Sequence, residues 1–180
     1  MDYSNPYAYL KMMEHGISGL PPLIISVAIT GGIHGKELNS NLPELPEEQA
    51  EQTYEAYKAG ASLVHIHRRK RENPSVTSSD VEDYKEINIM IRERCPDIII
   101  NNTTGGTTGM TMEQRMASLG AYPEMASFDV TNVPVRLNLK ARKPPLTGRP
   151  KDVTVEYTWA MSYVRWSPKF GQVVKSGFCS

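Results

Sequence analysis

The stretch Ala59-Gly60-Ala61-Ser62-Leu63-Val64-His65-Ile66-His67 decides the fold of this chain. Its first three residues predict the end of a helix with glycine in the left-handed C-cap, and Leu63 to His67 predicts the buried strand that follows. Side chains alternate faces along a strand, so His65 and His67 should point the same way and could share one metal ion. Because the motif is short, the alternative is that two histidines finish a strand and form local hydrogen bonds.

Similar apolar runs precede and follow this strand in the sequence. Leu23 to Ile29 predicts a first strand buried on both faces, Ile98 to Ile100 a third and Met125 to Asp129 a fourth. Three helices are predicted between these strands. The first begins at Pro46, and its Ala50, Tyr54 and Tyr57 should face the sheet. The second runs from Asp80 to Arg94 with a capping box of Ser79 and Glu82, and the third runs from Met112 to Leu119 with Thr111 as its cap. Alternating strands and helices predict a parallel α/β fold, and right-handed crossovers place the connecting loops on one rim.

Polar residues follow each predicted strand. Thr30 to Lys36 is a glycine-rich turn that could bring backbone N–H groups near an anion, although it lacks the nucleotide-binding spacings and could be a simple turn. Asn101 to Gly109 offers threonine hydroxyls and glycine N–H groups that could bind a carboxylate, the alternative being a flexible loop. Ser127, Asp129 and Thr131 end the fourth strand. We therefore expect a candidate site on this rim.

The remaining segments are less regular. Arg68 to Ser75 is predicted to be a polar loop. Leu137 to Pro150 is basic and contains three prolines, which argues against a central strand or helix and favours a solvated loop. The sharper interpretation is that this run binds the anionic tail of a coenzyme. Asp152 to Trp166 is expected to begin another helix. The domain organisation is then a 1–20 extension, a 21–166 domain and a 167–180 tail.

Composition restricts the class of protein. The chain has 180 residues with 20 basic and 20 acidic side chains, so no general affinity for nucleic acid or an anionic membrane is expected. No stretch is long and apolar enough for a membrane span, and the first residues do not resemble a signal peptide, so a cytoplasmic location is expected. Cys95 and Cys179 predict no disulfide scaffold.

Five blocks of residues between Leu23 and Thr131 resemble the β-keto acid cleavage enzymes, the family that includes the 3-keto-5-aminohexanoate cleavage enzyme. They keep the order and spacing of that family and cover about the first half of a family member. The blocks are Val27-Ala28-Ile29-Thr30-Gly31, Asn41-Leu42-Pro43 with Pro46-Glu47-Glu48, Ala59-Gly60-Ala61 leading to His65-Ile66-His67 and Arg69, Thr103-Thr104-Gly105-Gly106, and Pro123-Glu124-Met125-Ala126-Ser127.

The resemblance implies a TIM (β/α)8 barrel that holds one divalent cation, usually zinc, on the His-x-His pair and a later glutamate. It also implies condensation of a β-keto acid with acetyl-CoA to give acetoacetate and the CoA thioester of the remainder. Carried over by position, His65 and His67 would ligate the metal. The groups that would hold substrate oxygens are Thr103, Ser127 and the amides of Gly105 and Gly106.

The chain also departs from the family pattern. The third ligand and the acid/base Asp and Arg of the family have no matching position, so the catalytic residues are left unassigned. Ile33, Leu45 and Lys70 stand where family members place a glutamate, a capping threonine and an acid. Glu124 and Glu156 are the in-chain candidates for a third ligand, with a turn and a solvated helix face as their expected structural roles.

A complete barrel needs about 250 residues, so we expect a partial barrel of about four βα units. A truncation or a shifted reading frame would explain residues 167–180. Such a chain should have impaired activity and should form a homo-oligomer or depend on a completing partner, because its sheet edge and apolar interior are uncovered. The alternatives are a catalytically inactive fragment or subunit, or another metal-dependent TIM-barrel aldolase or hydrolase.

Overall fold

A computed structural model describes residues 23–105, 109–127 and 133–159, the short segments 163–165 and 173–175, and four helical residues of the N-terminal stretch, namely Tyr7, Leu10, Lys11 and Glu14. The central element is a parallel sheet of four strands in chain order: β1 (Ser26–Ala28), β2 (Leu63–Ile66), β3 (Ile99–Asn102) and β4 (Met125–Ala126). The predicted α/β class with four parallel strands is confirmed, and adjacent strands follow one another in sequence, as in a barrel.

Three α-helices connect the strands: α1 (Pro46–Lys58), α2 (Val81–Arg94) and α3 (Met112–Met116), the last continuing into a 3-10 helix at Ala117–Ala121. Pro46 opens α1 as predicted, and Gly60 after its end has φ 102°, as expected for the left-handed cap. The cap predicted for α2 was wrong by one residue. Asp80, not Ser79, is the N-cap, because its carboxylate accepts the N–H of Glu82.

Helix α3 confirms the predicted cap but not the predicted length. The Thr111 hydroxyl accepts the N–H of Gln114, and the Gln114 side chain accepts the N–H of Thr111 in return. The α-helix then ends at Met116 rather than at Leu119, since the last turn tightens into the 3-10 form.

The hydrophobic core lies between the sheet and the helices. Alternate strand residues point toward the helices, and this face is buried in the two central strands, at Val64 and Ile66 of β2 and at Ile100 and Asn102 of β3. The nine buried members of the core are Ile29, Ala50, Val64, Ile66, Ile87, Ile91, Cys95, Ile98 and Ile100. Tyr54 and Tyr57 pack against them from α1, as predicted.

The opposite face of the sheet is open. Ile99 is 37% exposed and Met125 is 45% exposed, although both lie within strands. The prediction that Leu23 to Ile29 forms a strand buried on both faces was wrong: β1 is limited to Ser26–Ala28, and Leu23 is 83% exposed. The reason is that β1 is an edge of the described sheet and no described element covers its inner side.

Beyond the sheet, β5 (Val133–Leu139) pairs in antiparallel fashion with β6 (Val153–Trp159), and β7 (Tyr163–Arg165) pairs with β8 (Val173–Lys175). The expectation of a helix from Asp152 was therefore wrong. Its first residues alternate β-branched and polar side chains, and this period of two suits a hairpin. No helix within the described part of the chain is both long and apolar enough to cross a membrane.

Candidate active site

The two histidines of the opening motif lie side by side at the carboxyl end of β2. Their Nε2 atoms are 3.1 Å apart, their ring centroids are 5.0 Å apart, and the ring planes meet at 76°. A tetrahedral zinc ion with bonds of about 2.05 Å holds two ligand nitrogens about 3.3 Å apart. The separation also suits a direct N–H···N hydrogen bond, so both interpretations of the motif are compatible with the geometry.

His65 is oriented by the neighbouring strand. Its Nδ1 lies 3.0 Å from Oδ1 of Asn101, the residue opposite it in the β2–β3 register. If the amide oxygen accepts, Nδ1 of His65 carries the proton and Nε2 presents a lone pair. A hydrogen bond to the far nitrogen is how proteins fix the tautomer of a metal-binding histidine. Asn101 therefore prepares His65 to act as a ligand.

His67 is neutral at ordinary pH. Burial, reinforced by the charges of His65 and Arg69, lowers the pKa of His67 to about 3. Its Nδ1 is buried and has no hydrogen-bond partner among the residues that the structure describes. Neutral imidazole is the form that binds metals, so both rings can present nitrogen to the same point.

The described residues contain no group of three or more His, Cys, Asp or Glu side chains arranged around one metal position. Glu124 lies just before β4, where its carboxylate accepts the N–H of Ile100 at 3.0 Å and pairs with Arg92. Glu124 thus links β3 and α2, a structural role that differs from the turn expected for it. Glu156 lies on β6, not on a helix, and pairs with Arg136 at 3.0 Å. Both in-chain candidates are thus engaged elsewhere.

Hydroxyl groups lie at the carboxyl ends of the next two strands. The Thr103 side-chain oxygen accepts the N–H of Gly105 at 3.0 Å, and the Ser127 side-chain oxygen accepts the N–H of Thr104 at 2.9 Å. A hydroxyl that accepts one hydrogen bond keeps its own O–H free to donate. Gly106, predicted to hold a substrate oxygen, lies outside the described residues, as do Asp129 and Thr131.

Arg69 is one of the residues that carry the family resemblance, but sequence reasoning missed its role. It was assigned to a polar loop, yet it is fully buried. Its guanidinium donates to the carbonyls of Gly31 and His34 in the loop after β1 and to the carbonyl of Pro74 at 2.8 Å in the loop after β2. Arg69 thereby fastens two rim loops together beside His67. Its position two residues after the histidine pair was the available signal.

The basic run from Leu137 to Pro150 is not simply a solvated loop. Strand β5 extends to Leu139, and Arg142 is only 3% exposed because it pairs with Glu37 and Glu44. Lys140 and Lys143 instead line a cleft of about 550 Å³ together with Lys36, Glu37, Ala141, Leu146 and Asp152.

Comparison with known proteins identifies the family. The sequence profile described as beta-keto acid cleavage enzyme matches residues 22–166. The 3-keto-5-aminohexanoate cleavage enzyme of Fusobacterium nucleatum subsp. nucleatum is 43% identical over 107 residues, which cover 59% of this chain and 39% of that protein. The 3-oxoadipate:acetyl-CoA acetyltransferase of Cupriavidus necator is 39% identical over 118 residues, which cover 64% of this chain and 40% of that protein.

Among solved structures, a ternary complex of ObcA with a C4-CoA adduct and oxalate is 29% identical, with a TM-score of 0.38, and the match covers 48% of this chain and 23% of that one. The chain spans about two fifths of the length of the curated relatives it matches. The profile match nevertheless extends over most of the 180 residues, so the resemblance noted from the sequence is confirmed and the chain belongs to the β-keto acid cleavage enzyme family.

Proposed function

We propose that this chain takes part in the cleavage of a β-keto acid with acetyl-CoA, using a divalent cation such as zinc held by His65 and His67. The observation that carries the proposal is the 3.1 Å separation of their Nε2 atoms at the rim of the sheet. Family membership supports the reaction class. In this reaction R–CO–CH2–COO⁻ and acetyl-CoA give acetoacetate and R–CO–S-CoA, so the keto acyl group passes to the coenzyme. We place this reaction in the cytoplasm.

The cation would act as a Lewis acid that polarises the keto oxygen of the substrate. The protein's own contribution is to position the groups around it. Asn101 holds the ring of His65 so that Nε2 faces the rim. Burial keeps His67 uncharged, because its pKa is about 3. Two neutral imidazoles leave the charge of the cation undiminished, which favours negative charge on a bound substrate.

The hydroxyls of Thr103 and Ser127 would donate hydrogen bonds to the substrate carboxylate. Each accepts a backbone N–H, from Gly105 and Thr104 respectively, and a hydroxyl that accepts one hydrogen bond can still donate another through its O–H. The direct donation predicted for Gly105 stays a prediction, since its N–H is engaged with Thr103 when no substrate is bound. These contacts would orient the substrate rather than perform the chemical step.

The coenzyme would lie along the basic side of the rim. Lys36, Lys140 and Lys143 line the 550 Å³ cleft beside the hairpin. Clefts of about 300–1,000 Å³ are typical for small-molecule ligands, and the phosphates of CoA are anions that lysine side chains attract.

Catalysis would also need groups from outside the described residues. The open inner face of the sheet, with Ile99 and Met125 exposed, supports association with a second copy or with a polypeptide that completes the barrel. The two-histidine ligand set within the described part of the chain supports a second candidate function, that of a catalytically inactive subunit, because a two-ligand site binds metal weakly.

The test is a direct assay with purified protein, zinc, acetyl-CoA and a panel of β-keto acids, in which acetoacetate and acyl-CoA are measured by mass spectrometry. Acyl-CoA formation that disappears in His65→Ala and His67→Ala would support the proposal. Turnover without acetyl-CoA would instead indicate an aldolase or hydrolase. A folded protein with bound zinc that forms no product would support the inactive-subunit alternative.

A further inference from the structure

The guanidinium of Arg142, in the loop of the β5–β6 hairpin, is buried against the loop that follows β1. Nη1 and Nη2 of Arg142 donate to the two carboxylate oxygens of Glu44, both at 2.7 Å, and Nη1 also donates to Glu37 at 2.5 Å. All three side chains are at most 3% exposed. A paired arginine fork fixes both the distance and the orientation of its carboxylate. The hairpin and the rim loop are therefore joined with defined geometry.

The same two carboxylates hold the backbone of the glycine-rich turn. Glu37 accepts the N–H of Gly35 at 3.0 Å, and Glu44 accepts the N–H of Lys36 at 2.8 Å. The turn thus does bring backbone N–H groups to anions, but these anions belong to the protein. A Cβ on Gly35 would lie 2.0 Å from Oε1 of Glu44 and 2.5 Å from Nη1 of Arg142. A side chain at position 35 would therefore force the carboxylates and the guanidinium of this buried cluster to shift.

The loop after β1 is linked to the backbone around His67 in two ways, through Gln49 of α1 and through Arg69. The side-chain nitrogen of Gln49, which is fully buried, lies 3.2 Å from the His67 carbonyl and 3.5 Å from the Glu44 carbonyl. Arg69, two residues after His67, donates to the carbonyls of Gly31 and His34. A displacement of the loop would consequently move the residues that place His67.

We propose that Arg142 is a positioning residue for the candidate metal site, acting on His67 through Glu44 and Gln49. The proposal rests on the proposed function in one respect, the binding of a metal by the histidine pair. Arg142 has no contact with either imidazole, so it is not a catalytic residue. It acts through groups that hold the backbone of a ligand. The loss of a group bonded directly to a ligand weakens metal affinity by about 10- to 100-fold, so the effect of Arg142 should lie at the lower end of that range.

The experiment compares Arg142→Gln with Arg136→Gln, measuring the zinc Kd by titration calorimetry and the ring signals of His67 by NMR. Arg136 is a matched control, because it lies in the same hairpin but forms an exposed ion pair with Glu156. Arg142→Gln should weaken zinc binding by about 10-fold and shift the His67 ring signals of the metal-free protein. Arg136→Gln should do neither. Arg142→Lys should not restore binding, because lysine lacks the fork.

A second variant keeps the test decisive if Arg142→Gln does not fold. Gln49→Met retains a side chain of similar length and removes Nε2, which donates to the His67 carbonyl. It also removes Oε1, which is buried with no hydrogen-bond partner among the described residues, so the loss of one hydrogen bond, about 0.5–1.5 kcal/mol, is partly offset. It should nevertheless shift the His67 signals and weaken zinc binding. If Gln49→Met and a folded Arg142→Gln leave both readouts unchanged, the positioning role is refuted.

The two proposals can fail separately. Wild-type protein that binds no zinc would contradict the metal-dependent function, and the His67 signals of metal-free wild type and variants would still decide the role of Arg142. Wild-type zinc binding that Arg142→Gln leaves intact would contradict the positioning role alone.

Discussion

His65 and Asn101 face each other on neighbouring parallel strands, and their side chains meet with 3.0 Å between Nδ1 and Oδ1. This contact is formed by the register of the sheet, since no loop contributes to it. It ties the orientation of a candidate metal ligand to the pairing of β2 with β3. The first prediction follows from it.

Asn101→Leu should weaken zinc binding by about 10-fold, because His65 loses the acceptor that fixes its tautomer. The measurement is the zinc Kd by calorimetry. Asn101→Asp is the matched control: it keeps an acceptor at the same place and should bind zinc at least as well as wild type. Equal affinity of the Leu variant and wild type would contradict the role of Asn101.

His65→Ala and His67→Ala should each reduce zinc affinity by at least about 10-fold, since each removes one of two ligands. His34→Ala is the control, because His34 lies in the loop after β1 and not at the end of β2, where His65 and His67 lie together. Zinc content after dialysis, measured by mass spectrometry, distinguishes the variants. An equal loss in His34→Ala would show that the site includes that loop.

Gly35→Ala should destabilise the protein by about 1–3 kcal/mol, the usual effect of forcing atoms into a packed site, because its Cβ would lie 2.0 Å from Glu44. Gly31→Ala is the control, since a Cβ there meets nothing within 4 Å, and its change should stay within about 0.5 kcal/mol. Urea unfolding gives both free energies. Equal values for the two variants would argue against the tight cluster.

The stability that Glu37 and Glu44 contribute should fall as the pH drops below about 4.5, the ordinary pKa of a glutamate. Burial alone would raise the pKa of Glu44, but hydrogen bonds from Arg142 and the N–H of Lys36, together with the charges of Arg142 and Arg69, outweigh it and lower that pKa from its usual value of 4.5. Glu37 shifts in the same direction. The unfolded chain then binds more protons in this range, so the stabilisation is complete above the unfolded pKa and is lost as the pH falls through the folded pKa.

The measurement is the free energy of unfolding in urea from about pH 3.5 to 6, around the ordinary carboxyl pKa. Glu44→Gln should be less stable than wild type at pH 6 and should show a shallower decline toward low pH. Glu72→Gln, at an exposed position, should follow the wild-type curve. His67 contributes a loss of the same sign over a wider range, since its pKa falls from 6.5 to about 3, and it affects all three proteins equally.

Ile99→Lys should reduce self-association, because it places a charge on the open inner face of the sheet. Ile89→Lys is the control, since Ile89 is also exposed but lies on α2. Light scattering after size exclusion gives the mass of each. If Ile89→Lys dissociates the protein and Ile99→Lys does not, the inner face is not the contact surface.

The parallel sheet could be predicted from sequence because its signals are local. Uniform apolar runs gave the strands, and Pro46 and Gly60 marked the ends of α1. The exposure of Leu23 could not be predicted, since the burial of a strand depends on neighbours, and the described sheet has none beyond β1. The prediction of a helix from Asp152 was wrong, because the alternation of β-branched and polar side chains in β6 indicates a strand.

The candidate site was predictable only in part, because some of its contacts join residues that are far apart in the sequence. Strand alternation placed His65 and His67 together. The contact of His65 with Asn101 depends on strand register, which the sequence does not reveal. Arg69 and Arg142 were assigned to polar loops because charged residues are usually exposed; their burial depends on carbonyls and carboxylates far away in the chain.

The Arg142–Glu44 pair joins positions separated by 98 residues, and this has a consequence for biosynthesis. The first rim loop leaves the ribosome well before the hairpin that completes it. At about 5–20 residues per second, the delay is about 5–20 s, during which Glu37 and Glu44 are two neighbouring carboxylates without their guanidinium. The nascent chain can therefore form β1, α1 and β2 early, whereas the loop beside the histidines matures only after residue 142 has been translated.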